Sequence, residues 1–208
     1  MRILAFFSGP IAAVAGLALL AALPLSLAGS SCAADARSDY RVGERLSPSK
    51  SATAPAAVYQ ETPWDALIPK DWDSQQAFKG LDLRTLKDSD PRAMEALQRL
   101  RESWDNAPVE QSLRGQRIRI AGFMVVLEKK GDEVSEFLLV PYFGACIHVP
   151  PPPANQIIHV ILAKPLKGLQ SMDAVWVSGA LAITRSDSPW GASGYRMQGE
   201  LVTPYSKR

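Results

Sequence analysis

The alternation of apolar and polar residues predicts where the β-strands lie. From residue 116 onward, apolar residues recur at every second position, as in residues 117–120 (RIRI), which is typical of a strand with one buried face. Strands are predicted for five segments: 117–127, 136–140, 156–162, 174–183 and 195–202. Glycines lie inside three of them, at Gly122, Gly179 and Gly199, where a strand has to bend sharply. Five short strands with internal glycines predict an all-β domain with minor α content, folded as a small five-stranded OB-like barrel.

A helical period precedes the strands and predicts an N-terminal helical clasp. Asp90 is suited to cap a helix, and Pro91 is suited to its first position. One apolar stripe follows at intervals of three and four residues: Met94, Leu97, Leu100 and Trp104. Further upstream, residues 62–72 (TPWDALIPKDW) have apolar residues near helical spacing, but Pro69 limits any helix there. We expect both segments to pack on the barrel.

The first 31 residues are almost wholly apolar and predict export. Arg2 is the only charge before the apolar run 3–28, and small residues follow the run. This pattern fits a cleaved signal peptide, but about 20 apolar residues also suffice for an uncleaved membrane anchor. Lipidation at Cys32 is a third outcome, although Gly29 stands where a lipoprotein signal has leucine. All three outcomes export the domain, so we expect a periplasmic protein that meets the membrane through its N-terminus.

The composition of the next segment predicts a spacer. Residues 32–61 are rich in alanine, serine, proline and charge, and they contain few large apolar side chains. Such a segment buries too little apolar surface to order itself. The predicted organisation is therefore a signal peptide or membrane anchor (1–31), a flexible spacer (32–61), and an OB-like barrel domain with an N-terminal helix (62–208).

Charge and motif content exclude several classes of function. The chain has 23 Lys and Arg against 21 Asp and Glu, a net charge of +2, and no basic stretch long enough to line a nucleic-acid groove. It also lacks a glycine-rich phosphate loop, a serine nucleophile elbow and a paired-carboxylate motif. We therefore expect no nucleic-acid partner, and a non-enzymatic function is favoured over an enzymatic one.

The candidate chemistry is concentrated in residues 141–156 (PYFGACIHVPPPPANQ), between the second and third predicted strands. Each proline fixes a backbone angle, so the four prolines predict a rigid extended stretch. Rigidly held loops are where binding and catalytic residues concentrate. We therefore assign candidate binding residues to this Pro-rich loop: Tyr142, Pro150, Pro151, Pro152, Pro153, Asn155 and Gln156.

The pair Cys146 and His148 admits three interpretations. Thiolate and imidazole are ligands that zinc and copper(I) prefer, and His159 on the third predicted strand would supply a third ligand if it faced the loop. A buried structural cysteine and hydrogen-bonded histidines would leave the same sequence pattern. A third interpretation makes Cys146 a nucleophile or redox thiol, which requires a lowered thiol pKa. The residues alone leave all three open.

Several sequence blocks together resemble one bacterial family. They are WDALIP at 64–69, GFMVVLE at 122–128, FLLVPYFGACIHVPPPPANQ at 137–156, VWVSGAL at 175–181 and GYRM at 194–197. The chain resembles the domain of unknown function family 3299, which consists of exported proteins and lipoproteins. It departs from the family's pattern at Val126, where a proline is expected.

This resemblance implies a function in general terms only. Family members are often encoded near ABC-type export or metal-responsive transport genes, so we expect a periplasmic accessory or binding protein that serves a membrane transport system. A transporter component is then the expected partner, and metal handling with zinc or copper is one version of this role. One alternative is a non-catalytic interaction module that docks a membrane partner through the Pro-rich loop. A second is a thiol-dependent enzyme that uses Cys146.

Overall fold

The helix and the strands lie close to their predicted positions. The computed structural model describes residues 40–47, 58–76, 79 and 90–206. The elements are α1 (Pro91–Asp105), β1 (Gln60–Glu61), β2 (Arg117–Lys130), β3 (Glu133–Val140), β4 (Ile158–Lys167), β5 (Ala174–Ser188) and β6 (Gly191–Pro204), with short 3₁₀ helices at Trp64–Leu67, Gln111–Leu113 and Ala154–Gln156. The predicted signal or anchor segment and much of the predicted spacer lie outside the described residues.

Five long strands close into a barrel. β2 pairs with β3, β3 with β4, β4 with β6 and β6 with β5, and β5 returns to pair with β2. The pair β4–β6 is parallel, and the other four pairs are antiparallel. This order is the five-stranded Greek-key arrangement of an OB-type barrel, so the predicted fold class is confirmed. The short strand β1 adds a parallel pairing with β2.

Two of the three strand glycines, Gly122 and Gly179, lie at close backbone approaches between strands. At Gly179 in β5, an added Cβ atom would lie 2.1 Å from the carbonyl oxygen of Gln198 in β6. At Gly122 in β2, an added Cβ atom would lie 2.8 Å from the carbonyl oxygen of Val140, whereas at Gly199 in β6 the nearest atom, at 2.8 Å, belongs to the side chain of Leu162. Only a residue without a side chain allows such an approach between strands.

Helix α1 packs through only part of the predicted apolar stripe, since Leu100 is buried and Trp104 is half-buried. It begins after the cap Asp90, as predicted, and its buried residues are Ala96 and Leu100, which lie four positions apart. Met94 and Leu97 of the predicted stripe are 62% and 42% exposed. The buried face depends on the direction from which neighbouring segments approach, which the spacing of apolar residues does not specify. Neither α1 nor any other described helix has the length and apolar content needed to cross a membrane.

A buried tyrosine joins the barrel to the clasp. The clasp consists of the segments 62–76 and 90–113, which precede β2. Tyr195 in β6 is fully buried in the barrel interior. Its hydroxyl donates a hydrogen bond to the carbonyl of Leu67 at 2.8 Å and accepts one from the backbone N–H of Glu110 at 2.6 Å. One side chain therefore holds clasp residues from both sides of α1.

Apolar side chains form two main clusters, one on each face of the barrel wall. The interior cluster contains residues from all five barrel strands, such as Met124 and Leu139. Their neighbours Phe123 and Leu138 point to the opposite face, because successive side chains of a strand alternate, and they belong to an outer cluster. The Pro-rich loop contributes Cys146 and other partly buried residues to this outer cluster.

Residues 40–47 also cover the outer cluster, although they fall within the predicted spacer 32–61. The Tyr40 ring stacks on Phe143, with centroids 6.0 Å apart and an interplanar angle of 24°. The N–H of Gly43 donates to the carbonyl of Phe143 at 2.8 Å. The barrel, and not the low apolar content of the segment itself, supplies the contacts of residues 40–47.

Candidate functional site

The Pro-rich loop between β3 and β4 is held in a closed conformation. It turns at Gly144, whose φ of +85° favours glycine, and the Gly144 carbonyl accepts a hydrogen bond from the N–H of His148 at 2.8 Å. Cys146 also has a positive φ, 65°, which is uncommon for a residue with a side chain. The Tyr142 hydroxyl reaches back to the carbonyl of Pro150 in a long hydrogen bond of 3.5 Å. These bonds fold the loop onto itself.

The prolines bring the loop against the hairpin that joins β5 to β6. Pro150 is exposed, whereas Pro152 is buried. An added Cβ at Gly191 would lie 2.9 Å from the Cβ of Pro151, so the hairpin and the prolines are in direct contact. Trp190 precedes this glycine and is 40% exposed. The loop and the hairpin therefore present neighbouring side chains to solvent.

The loop exposes apolar side chains from an uncharged part of the chain. Residues 137–163 contain no Lys, Arg, Asp or Glu. Ile147 at the turn is 37% exposed, and Val42, which is 53% exposed, lies 3.2 Å from the Cβ position of Gly144. We name this apolar region the loop surface and define it by Val42, Ile147, Pro150 and Trp190.

Cys146 lies in surroundings that disfavour thiolate chemistry. Its side chain packs against the outer apolar cluster, and burial raises the pKa of its thiol from 9.0 to about 12. A nucleophilic or redox-active cysteine requires a lowered thiol pKa, because the thiolate is the reactive form. These surroundings favour a packing role for Cys146.

The two histidines lie in different surroundings. His148 is exposed on the loop, whereas His159 in β4 is buried with its Nε2 atom 3.0 Å from Oε2 of Glu136. Within the part of the chain that the structure describes, no three His, Cys, Asp or Glu side chains gather in an arrangement that could hold a metal ion. Zinc or copper binding by Cys146, His148 and His159 stays a prediction.

The two amides after the prolines connect the loop to the clasp. Nδ2 of Asn155 donates to the carbonyl of Pro108 at 2.8 Å, and Nε2 of Gln156 donates to the carbonyl of Trp64 at 2.9 Å. Both side chains are buried. In these positions the amides fix the end of the loop against segments on both sides of α1, and they are not presented to solvent.

A cleft that the sequence analysis did not predict lies where residues 61–65 cross the barrel. Its volume is about 380 Å³, and its lining includes Trp64, Trp176, Arg45 and Asp65. The two charged residues form an exposed ion pair at 3.7 Å. We name it the Trp176 cleft, after the tryptophan that β5 contributes to its wall.

A buried arginine lies beside the Trp176 cleft. Arg119 in β2 is only 6% exposed, and its guanidinium carbon lies 4.1 Å from the centre of the Trp176 ring. Its Nη1 atom is 4.0 Å from Oε2 of Glu61, which also lines the cleft. Burial lowers the pKa of Arg119, and the Glu61 carboxylate partly opposes this effect. The alternating pattern predicted the strand, but it gave no signal that this arginine is buried.

A second cleft, of about 600 Å³, lies between the clasp and the end of the barrel. Trp72, Pro108 and Arg185 are among the residues that line it. The Arg185 guanidinium donates to the Asp187 carboxylate at 2.8 Å and to the carbonyl of Asp105. The Arg185 guanidinium in this cleft is therefore already hydrogen-bonded.

Comparison with known proteins places the chain in a family. The family model described as "Protein of unknown function (DUF3299)" matches residues 64–204. A crystal structure of a DUF3299 family protein from Pseudomonas aeruginosa PAO1 is 36% identical in sequence, and the match covers 73% of this chain and 99% of that chain with a TM-score of 0.56. No curated protein matches the chain. The resemblance seen in the sequence blocks is thus confirmed, and the chain belongs to the DUF3299 family.

Proposed function

We propose that this protein is an exported, non-catalytic interaction module that docks a membrane-associated partner protein through the loop surface. The observation that carries the proposal is the combination of a braced loop with exposed apolar side chains. Ile147 and Trp190 are 37% and 40% exposed on neighbouring, tightly connected segments. Exposed apolar side chains on neighbouring segments of a folded domain can mark a site of protein interaction.

The braced conformation of the loop favours binding. The prolines restrict the backbone, and the hydrogen bond from His148 to Gly144 closes the turn, so little conformational entropy remains to be lost when a partner binds. Tryptophan is enriched among the residues that contribute most to binding energy at protein interfaces. We therefore expect Trp190 and Ile147 to be the main contact residues.

The chemistry of Cys146 supports a binding role over an enzymatic one. A thiol with a pKa of about 12 is almost wholly protonated at neutral pH. Its packing against the outer cluster instead contributes to holding the loop on the barrel.

The location and the partner rest on the sequence. The apolar segment within residues 1–31 supports export and a position near the membrane. The resemblance to exported proteins encoded near transport genes makes a transporter component the partner that we propose. Because the four side chains that define the loop surface are apolar, the part of the partner that contacts them should be apolar.

Photocrosslinking of the full chain in its host tests this proposal. A photoreactive amino acid is introduced in place of Ile147 or Trp190, and adducts are identified by mass spectrometry. We expect the same membrane-associated protein to be crosslinked from both positions. The control position is Lys130, an exposed residue at the end of β2, from which a photoreactive amino acid should form no adduct with that protein. A second substitution, Ile147→Asp, should abolish the adduct formed from position 190, because it places a charge in an apolar contact.

Three results would contradict the proposal. The first is crosslinking of the same protein from Lys130, which would show a contact unrelated to the loop surface. The second is adducts with phospholipid alone, which would make the loop surface a membrane-binding site. The third is an adduct from position 190 that survives Ile147→Asp.

A further inference from the structure

We propose that a short segment of the partner protein replaces residues 40–47 on the barrel and pairs with Phe143 in their place. We name residues 40–47 the strap, and we name the surface that it contacts the strap site, formed by Phe123, Phe143 and Tyr205. The inference names the element of the partner that binds, and in that respect it rests on the proposed function. The strap itself shows which chemistry the site accepts.

Backbone hydrogen bonds join the strap to the Pro-rich loop. The N–H of Gly43 donates to the carbonyl of Phe143 at 2.8 Å, and the N–H of Phe143 donates to the carbonyl of Glu44 at 2.9 Å. The strap therefore satisfies both backbone groups of Phe143. An incoming segment that replaces the strap has to supply one N–H and one carbonyl in the same positions. In pairing of this kind the main chain contributes affinity, and side-chain pockets contribute specificity.

An aromatic side chain anchors the start of the strap. The ring of Tyr40 meets the ring of Phe123 edge to face, with centroids 5.0 Å apart, and it stacks on Phe143. Leu46 packs against the same outer cluster near the end of the strap. Between these two anchors the backbone turns at Gly43, whose φ is +86°. The matching partner segment therefore has an aromatic residue, a glycine turn and a following apolar residue.

The strap leaves room at the strap site for a larger side chain. A cleft of about 200 Å³ lies beside the Tyr40 ring, and its walls include Leu169, Val175 and Tyr205. A side chain larger than tyrosine would extend into this cleft and gain apolar contacts with its walls. A partner segment with tryptophan in the position of Tyr40 therefore fits the site better than the strap does. This cleft is the observation that points to an occupant other than the strap.

Few buried contacts hold the strap. Arg41, Val42 and Arg45 are exposed. Arg45 and Asp65 pair at 3.7 Å with side chains that are 54% and 86% exposed, and ion pairs of this kind contribute little to stability. Segments with few buried apolar contacts open at a lower free energy than the strands of a core. The strap can thus leave its site while the barrel stays folded, which an exchange requires.

The strap site is continuous with the loop surface. Val42 of the strap lies 3.2 Å from the Cβ position of Gly144, and Ile147 follows three positions later in the same loop. When the strap leaves, Val42 leaves the loop surface with it. The partner segment then takes this place beside Gly144, next to the residues that we expect to contact the partner.

Peptide binding to the full chain tests the exchange. The probe is the strap peptide, residues 40–47 (YRVGERLS) with a fluorescent label, and binding is followed by fluorescence anisotropy. The receiving protein carries Tyr40→Ala, which removes the aromatic anchor of its own strap. We expect saturable binding to this protein and at least about tenfold weaker binding to the wild-type chain, whose own strap competes at a high effective concentration. The matched control Tyr59→Ala removes a tyrosine outside the strap and should bind the peptide no better than wild type.

Altered peptides test the two parts of the site separately. With Tyr40→Trp in the peptide, binding should be at least about threefold tighter, because the larger ring enters the cleft. With Tyr40→Ala in the peptide, binding should be at least about tenfold weaker. An N-methyl group on Gly43 of the peptide removes the N–H that pairs with Phe143 and should weaken binding at least about fivefold.

Amide hydrogen exchange of the wild-type chain is a second measurement, and it depends on no variant. The N–H of Leu181 in β5 donates to the carbonyl of Gln116 in the barrel wall. We expect the protection factor of the Gly43 N–H to be at least about a hundredfold lower than that of Leu181. Equal protection would mean that the strap opens only when the whole domain unfolds, and would contradict the exchange.

Three results from the peptides would overturn the inference. One is equal affinity of the wild-type chain and Tyr40→Ala for the strap peptide, whether both bind it or neither does. Another is binding of the Tyr40→Trp peptide no tighter than that of the unaltered peptide, which would show that the cleft does not receive the side chain. The third is unchanged binding of the N-methylated peptide, which would exclude backbone pairing with Phe143.

Crosslinking from position 190 in the host separates this inference from the proposed function. With Tyr40→Ala, the yield of the partner adduct should rise, because the strap no longer competes with the partner segment. If the adduct forms in the wild-type chain and Tyr40→Ala does not raise its yield, the exchange is wrong and the proposed function stands. If neither chain forms an adduct although Tyr40→Ala binds the strap peptide, the proposed function fails and the strap site stands.

Discussion

The reactivity of Cys146 decides between the binding and thiol-enzyme interpretations, and the structure predicts it quantitatively. Burial raises the pKa of the thiol from 9.0 to about 12, so at neutral pH the folded protein contains about a thousandfold less thiolate than the unfolded chain. The thiolate that does form is a stronger nucleophile, because its pKa is higher. With a Brønsted coefficient of about 0.4–0.5, each thiolate reacts about 15–30 times faster, which offsets part of the loss in thiolate concentration. The expected slowdown of disulfide exchange is therefore about 30- to 60-fold.

This slowdown is measurable with an aromatic disulfide reagent that releases a coloured thiolate. The full chain with Cys32→Ser leaves Cys146 as its only thiol. Its reaction rate at neutral pH is compared between the folded protein and the protein unfolded in urea. A control with Ile147→Cys, in a chain that also carries Cys32→Ser and Cys146→Ser, should react at nearly the unfolded rate, because position 147 is exposed.

The opposite result would refute the argument from burial. If Cys146 reacts in the folded protein as fast as in urea, its thiol pKa is not raised, and the thiol-enzyme interpretation regains support. If the Ile147→Cys control is also slow, the loop excludes the reagent by shape, and the pKa is not the cause.

Two further predictions concern the joints of the fold, and both are measured as unfolding free energy in urea. Tyr195→Phe removes a hydroxyl that makes hydrogen bonds of 2.8 and 2.6 Å to the clasp, so the unfolding free energy should fall by about 2–4 kcal/mol. The control Tyr142→Phe loses a single hydrogen bond of 3.5 Å and should change the unfolding free energy by less than about 0.5 kcal/mol. Equal effects would show that Tyr195 does not hold the clasp. Gly179→Ala places a Cβ atom 2.1 Å from a carbonyl oxygen and should cost at least about 3 kcal/mol. In the control Gly168→Ala, the added Cβ atom meets open space, and the φ of +76° alone should lower the unfolding free energy by about 1–2 kcal/mol. A Gly179→Ala protein as stable as this control would contradict the close approach of the two strands.

Local signals in the sequence determined the secondary structure and the fold class. The alternating segments correspond to β2 through β6, and Asp90 with Pro91 marks the start of α1. The strand glycines predicted a barrel, and Gly179 confirms why: two strands approach there more closely than any side chain permits. These features are readable from sequence because strand period, helix capping and glycine geometry depend on residues near each other in the chain.

The Pro-rich loop was identified from its residues, but the roles within it were decided by tertiary contacts. Four consecutive prolines and the pair Cys146 and His148 marked the segment 141–156. Only the folded chain shows that Cys146 packs against the outer cluster and that Asn155 and Gln156 turn toward the clasp. The hydrogen-bond partners of the two amides are 47 and 92 residues away in the chain, so no local spacing indicates them.

Burial of individual side chains was likewise decided only by closure of the barrel. Arg119 alternates with isoleucines in the sequence, as a solvent-facing strand residue would, but β1 and the Trp176 ring of β5 enclose it. Conversely, Met94 and Leu97 follow an apolar spacing on α1 and yet are exposed. The physical reason is the same in both cases. The local pattern determines on which face of a strand or helix a side chain lies, and the packing of distant segments determines whether that face is covered.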